Sequence, residues 1–138
     1  MLFDLQRSEH DGWTRVAVIG ELDLAAAPRV RSAVLGLLPS PVGPAPDEPL
    51  RFILDLSGVD FIDSAGLGVV LGAVRRVRGA GGTVGVVLGS DHVRDVFSLI
   101  GLDRILAVFP NVDAVIAGAG ERPAQPADGV LDEGGRRG

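Results

Sequence analysis

The sequence contains no cysteine and no lysine, and each absence excludes a class of chemistry. Without cysteine the chain can form neither a disulfide nor a thiolate metal site. Without lysine it cannot build a GxxxxGKS/T phosphate loop or use any other lysine-dependent mechanism. No apolar run is long enough to cross a bilayer, and the N-terminal residues lack the basic and apolar regions of a signal peptide. We therefore expect a cytoplasmic protein without a membrane anchor.

Aromatic residues and positive charge are also scarce. Aromatic side chains make up 4% of the 138 residues against 46% hydrophobic residues, so the core must be mainly aliphatic. The formal net charge of −5 argues against binding to nucleic acid or to an anionic membrane surface, because both require clustered cations. The length predicts one domain with short additions.

The first part of the chain predicts a hairpin and a helix. Residues 3–8 and 13–19 have strand character and flank Asp11-Gly12, a pair typical of tight hairpin turns. Apolar residues then recur at helical spacing at Val30, Val34, Leu37 and Leu38. The proline-rich stretch 39–49 predicts an extended loop, because proline interrupts both helices and central strands.

The rest of the chain alternates between short apolar runs and helical patterns. We predict strands at 51–56, 83–88 and 105–109. The second helix is predicted over 66–78 and ends at GAGG (79–82). A third helix is capped by Ser90 or Asp91 and stopped by Gly101, and a final helix runs from Asn111 to near Ala117.

The predicted order ββαβαβαβα defines an α/β fold with a mixed sheet of four to five strands. Helical connections favour parallel pairing with right-handed crossovers, and the first hairpin adds an antiparallel strand. We place the domain at residues 1–117 and expect a flexible C-terminal tail over 118–138, which is too polar and glycine-rich to fold alone.

The stretch DFIDSAGLG (60–68) places Ser64 between a predicted strand and a predicted helix. Functional groups of such sheets gather at strand ends and helix starts. Ser64 could be a helix cap, because serine accepts hydrogen bonds from the N–H groups of the first turn. It could also be a nucleophile or a hydroxyl that another enzyme modifies.

A catalytic role for Ser64 requires a base and an orienting acid. His92, in the first turn of the third predicted helix, is the candidate base of a small serine hydrolase. The nucleophile-elbow pattern GxSxG is absent, since the residues around Ser64 read IDSAG. The sequence therefore disfavours catalysis by Ser64.

Phosphate acceptance by Ser64 is physically plausible because a helix start offers free N–H donors and a positive dipole end. The small residues Ala65, Gly66 and Gly68 would leave the hydroxyl accessible to a kinase. The added charge would lie beside Asp63 and near Asp60, where it could disrupt a docked partner without unfolding the protein.

Several segments in order resemble the STAS domain of bacterial anti-sigma factor antagonists. They are GELDLAAAP, LDLSGVDFIDSAGLGVVLGAVRRVRGAGGTVGVV, VRDVFSLIGLDRIL and FPNVDAVIAG, and the resemblance runs from about residue 3 to residue 117. The GELD and DSAGLG elements carry most of the specificity. The implied fold is a single STAS domain.

The resemblance implies a phosphorylation switch at Ser64, the serine of the DSAGLG element. The implied partners are an anti-sigma factor that is also an ATP-dependent serine kinase, and a serine phosphatase that resets the switch. Unphosphorylated antagonists of this family bind the kinase and so free a sigma factor. No cofactor is implied.

The supporting residues implied by the resemblance surround Ser64. Asp23 of GELD and Asp63 would assist the kinase reaction, although Asp23 could equally serve as a turn-forming carboxylate. Glu21 would add acidity, while Ala65, Gly66 and Leu67 would shape the turn and the partner surface.

Three features depart from the usual family pattern: Ala26 stands where many members have a capping Thr or Ser, the loop 39–49 is longer, and the tail is extra.

The main rival hypothesis within the same fold is a scaffold module of a stressosome or of a lipid-transport complex.

Overall fold

Five strands form one mixed sheet in the spatial order β1-β2-β3-β4-β5. The structure, a computed structural model, describes residues 3–40, 42–44 and 46–118. The strands are β1 (Phe3–His10), β2 (Trp13–Leu22), β3 (Arg51–Ile62), β4 (Thr83–Leu88) and β5 (Val108–Phe109), and the helices are α1 (Ala27–Leu35), α2 (Ser64–Gly79), α3 (Asp91–Leu99) and α4 (Val112–Ala117). This architecture confirms the predicted α/β class and element order.

The hairpin between β1 and β2 is the antiparallel pair of the sheet, and the other pairs are parallel. His10 lies opposite Trp13, so Asp11 and Gly12 form a two-residue loop. Both take positive φ, 51° and 85°, which matches the twist of the flanking strands. The predicted turn is confirmed.

Strand β3 is longer than the sequence suggested. The prediction ended it at residue 56, whereas it continues to Ile62. The second half pairs with β2, with Ile19 opposite Gly58 and Leu22 opposite Ile62. Register shifts interrupt this pairing, so the apolar alternation breaks and SGVD reads like a loop. The extension carries the chain to the start of α2.

The core lies mainly between the sheet and three helices. Val30 and Val34 of α1, Val70 and Val74 of α2, and Phe97 of α3 are buried against one sheet face. Helix α4 covers part of the opposite face, where Trp13, Ile53, Val87 and Val115 form a second cluster. The predicted aliphatic core is therefore present.

Other boundaries differ modestly from the predictions. Helix α1 ends at Leu35, although Leu37 and Leu38 still pack against the core. The predicted strand 105–109 shrinks to Val108–Phe109, because residues 102–104 form a turn of 3₁₀ helix. Helix α3 stops at the predicted glycine, since Gly101 takes a φ of +80°.

The described residues of the proline-rich stretch 39–49 lie outside helices and strands. The predicted tail 118–138 falls almost entirely outside the described residues, and its flexibility remains a prediction.

Candidate functional site

Helix α2 begins directly against the end of β2. The backbone N–H of Asp63 donates to the carbonyl of Leu22 at 3.3 Å. One turn later, a Cβ at Gly66 would overlap the Leu22 carbonyl oxygen and would lie 2.8 Å from Cγ1 of Ile62. The close approach explains why a glycine occupies this position.

Asp63 is the N-cap of α2. Its Oδ1 accepts a hydrogen bond from the N–H of Gly66 at 2.9 Å, and its backbone is extended. Its Oδ2 accepts from the N–H of Leu24 at 3.1 Å, so one carboxylate joins the helix start to the loop after β2. The alternative in which Ser64 caps the helix is wrong, because the aspartate before it takes that role.

Ser64 is the first residue of α2, and its side chain is exposed. Within residues 3–40, 42–44 and 46–118 its hydroxyl has no hydrogen-bond partner, and neither do the N–H groups of Ser64 and Ala65. The hydroxyl therefore stands at a helix start that retains free donors and the positive end of the helix dipole.

Asp23 folds the adjoining loop. Its Oδ1 and its backbone oxygen both accept from the N–H of Ala26, at 3.0 and 3.1 Å. Ala26, the N-cap of α1, makes no side-chain cap of its own. Asp23 satisfies the N–H of Ala26, not the first-turn N–H groups that a Thr or Ser at position 26 would bond. Asp23 thus forms the turn before α1, as the turn-forming interpretation predicted.

The GELD loop and the DSAGLG segment are adjacent in space. The bond from Leu24 to Asp63 brings the residue after Asp23 to the cap of α2. Glu21 is half-buried in β2 opposite Phe61, and Asp60 is exposed on β3. Of these carboxylates, Asp63 is bonded at the start of α2 and Asp23 precedes the loop residue that Asp63 holds, while Glu21 and Asp60 lie on the two strands that lead there.

The two remaining predicted site residues have different surroundings. Ala65 is half-buried and lines a groove between α1 and α2. Leu67 is half-buried and packs against the main core, so its contribution is largely structural. The sequence did not separate these two roles, since both residues fall within the same short motif.

A second polar cluster lies on the sheet face away from α1 and α2. Two nitrogens of Arg15, Nε and Nη2, donate to Oδ2 of Asp55 at 2.8 and 2.7 Å. Ser57 donates its hydroxyl and its N–H to Oδ1 of the same carboxylate at 2.6 and 2.9 Å. Burial acts to raise the pKa of Asp55, but the bonds from Ser57 and Arg15 outweigh it and lower the pKa.

Sequence reasoning missed this cluster. Arg15 and Asp55 lie on different strands, and their pairing depends on the parallel register of β2 and β3, where Ala17 is opposite Asp55. An aspartate inside the apolar run RFILDL was the available signal, because an unpaired carboxylate is rarely buried.

The structure does not pair Ser64 with His92, as a serine hydrolase would require. His92 is exposed in the first turn of α3, and among the described residues it makes no hydrogen bond with Ser64. The glycine-rich GAGGTVG stretch runs into β4, whereas a phosphate loop would open a helix.

Metal-binding clusters and membrane-spanning helices are both absent from the residues that the structure describes. No group of three or more His, Asp or Glu side chains there could bind a metal ion. Helices in the same part of the chain are too short or too polar to cross a membrane.

The family model and two similar proteins that match this chain belong to one class of protein. Residues 4–115 match the family model of the STAS domain. Anti-sigma-F factor antagonist RsfB of Mycobacterium tuberculosis is 28% identical over 111 residues, which cover 80% of this chain and 84% of that protein. The anti-sigma-B factor antagonist of Bacillus subtilis is 27% identical over 105 residues, covering 76% and 87% of the two chains.

A solved structure supports the same conclusion. The crystal structure of an anti-sigma factor antagonist from Mycobacterium paratuberculosis superposes with a TM-score of 0.73 at 27% identity, covering 87% of this chain and 96% of that one. The five-stranded mixed sheet with helices on both faces defines a small α/β domain. The chain belongs to the STAS domain family, and its curated relatives are anti-sigma factor antagonists.

Proposed function

We propose that this protein is an anti-sigma factor antagonist that binds an anti-sigma factor with serine kinase activity and releases it when Ser64 is phosphorylated. The observation that carries the proposal is the state of Ser64: an exposed hydroxyl without a structural hydrogen bond in the described chain, at the start of a capped helix. The named relatives support the partner class.

The division of roles between Asp63 and Ser64 suits a modification site. Because Asp63 caps the helix, Ser64 can gain or lose a phosphate without removing a hydrogen bond that stabilises the fold. The phosphate would lie near the free N–H groups of Ser64 and Ala65, which favours it by about 0.3–1 kcal/mol.

The same phosphate would oppose a docked partner. It adds roughly −1.5 to −2 charges next to Asp63, and Asp23, Glu21 and Asp60 already make this end of the molecule acidic. A charge buried without a counterion in an interface costs about 2–5 kcal/mol. Phosphorylation thus acts on binding far more than on folding, and a serine phosphatase would restore the binding form.

The proposed protein acts as a substrate and binding partner in partner switching, with no catalysis of its own. It would work in the cytoplasm, where the kinase finds ATP, and the sigma factor so released would serve a stress response.

Intact-mass spectrometry tests the modification. The protein is incubated with ATP and each candidate anti-sigma kinase of its host, in parallel with Ser64→Ala and Ser98→Ala. Ser98 is an exposed serine near the end of α3 and serves as the matched control. We expect one phosphate, about 80 Da, on the wild type and on Ser98→Ala, and none on Ser64→Ala.

Phosphate on Ser64→Ala would place the switch elsewhere. A wild type that no host kinase modifies or binds would contradict the proposal and favour the scaffold hypothesis.

A further inference from the structure

A groove between α1 and α2 leads away from Ser64. It has a volume of about 720 Å³ and is lined on the α2 side by Ala65, Gly68, Val69 and Gly72. From Ala65 to Arg76 it follows α2 for about 17 Å, or three helical turns. Its size suits one partner helix lying along α1 and α2.

The groove has apolar side chains at both ends. Leu24, beside the cap of α2, is 73% exposed, and Leu35, at the end of α1, is 44% exposed. The floor between them is open, since a Cβ added at Gly68 would meet no other atom within 4 Å. An apolar helix face could therefore approach the α2 backbone closely.

The charged residues that line the groove are all positive. Helices α1 and α2 contain no Asp or Glu, but they carry five of the arginines in a chain with net charge −5: Arg29, Arg31, Arg75, Arg76 and Arg78. Two of these, Arg31 and Arg76, line the groove, and among the described residues no carboxylate does. Arg29 lies instead over the ring of Phe3.

Arg31 lines the groove from α1 and Arg76 lines it from α2. Arg76 extends over α2, because its Nη1 would lie 2.9 Å from a Cβ added at Gly72. Within the described ranges neither guanidinium forms an ion pair with a carboxylate of the chain. These arginines are available to a carboxylate supplied from outside.

We infer that this groove binds an amphipathic helix of the anti-sigma partner, with its apolar face between α1 and α2 and its acidic residues at Arg31 and Arg76. The inference rests on the proposed function for the identity of the partner. Charge complementarity selects an acidic partner helix, because both charged residues of the groove lining are arginines. The contact at Arg76 lies about three turns of α2 from Ser64, so it contributes to affinity without being the switch.

Isothermal titration calorimetry of the unphosphorylated protein with the host anti-sigma kinase tests the groove. We expect Arg76→Glu to weaken binding about tenfold and Arg75→Glu to weaken it less than about threefold. Arg75 is the matched control, because it lies on the same helix, carries the same charge and is exposed outside the groove. Leu35→Ser should likewise weaken binding more than Leu99→Ser, a change at an exposed leucine of α3.

A photo-crosslinker at position 35 identifies the bound segment. We expect it to label a helical segment of the kinase that contains acidic residues. Labelling of a segment without acidic residues would overturn the inference, and so would equal losses for Arg76→Glu and Arg75→Glu. Sedimentation that shows a wild-type dimer dissociated by Arg76→Glu would assign the groove to a second copy and would also overturn it.

The same samples separate the two proposals. If the kinase phosphorylates the wild type but the groove and control variants bind alike, only the groove inference fails. If the kinase neither binds nor phosphorylates the wild type, the proposed function fails and the inference falls with it.

Discussion

At the residue scale, Gly66 shows how tightly the start of α2 is fixed. Its Cα lies against the last residue of β2, and a side chain there would overlap the Leu22 carbonyl. Gly68, two residues later, faces open space. A side chain is therefore excluded at Gly66 and tolerated at Gly68, although both glycines belong to one run of small residues in the sequence.

Alanine substitutions at these two glycines should change stability in opposite directions. Gly66→Ala should lower the free energy of unfolding by about 1–3 kcal/mol, because the helix must move away from β2. Gly68→Ala should raise it by about 0.5–1 kcal/mol through helix propensity. Denaturant unfolding of both variants measures the difference, and equal effects would contradict the close contact at Gly66.

Local chemistry predicted the position of Ser64 but not its bonding. Serine and aspartate are similarly good N-caps, and Asp63 and Ser64 are adjacent, so propensity alone cannot choose between them. The choice depends on Leu24, whose N–H holds the second oxygen of Asp63 from a loop 39 residues earlier in the chain. Such a contact is invisible in a local pattern.

At the element scale, β3 joins the polar cluster to the candidate site. Asp55 and Ser57 lie where its pairing with β2 changes register, and the strand then continues to the start of α2. Strand β4 was predicted with its observed bounds because its apolar run is uninterrupted. The second half of β3 was missed because its pairing with β2 stabilises a sequence with weak strand character.

The ion pair between half-buried Arg15 and buried Asp55 predicts an acid-sensitive contribution to stability. The folded-state pKa of Asp55 lies below its ordinary value of 3.8. The carboxylate therefore stabilises the fold at pH values above the unfolded pKa, and this contribution is lost as the pH falls through the folded pKa. Asp55→Asn should destabilise the protein at pH 7 by about 2 kcal/mol, since charge-assisted bonds are weakened.

Unfolding free energies measured from pH 7 down to pH 2 check this expectation. The gap between wild type and Asp55→Asn should narrow as the carboxylate is protonated. Asp91→Asn, at a carboxylate that is 97% exposed, controls for the loss of one negative charge. A gap that stays constant over the whole range would contradict a stabilising role for the ionised form.

At the scale of the whole molecule, carboxylates and arginines concentrate at different features. Asp23 and Asp63 lie beside the proposed switch, while Arg31 and Arg76 line the adjacent groove. The sequence predicted the fold class from its alternation of strands and helices. It did not predict the groove, because that feature depends on how two helices separated by β3 pack side by side.

We expect phosphate on Ser64 to abolish partner binding while leaving the fold intact. The most direct measurement is calorimetric affinity of the host anti-sigma kinase for the purified unphosphorylated and phosphorylated forms, alongside their unfolding free energies. We expect affinity to fall at least about thirtyfold, while the unfolding free energy changes by no more than about 1 kcal/mol. Equal affinity of the two forms would contradict the switch, and so would a loss of binding that merely follows from unfolding.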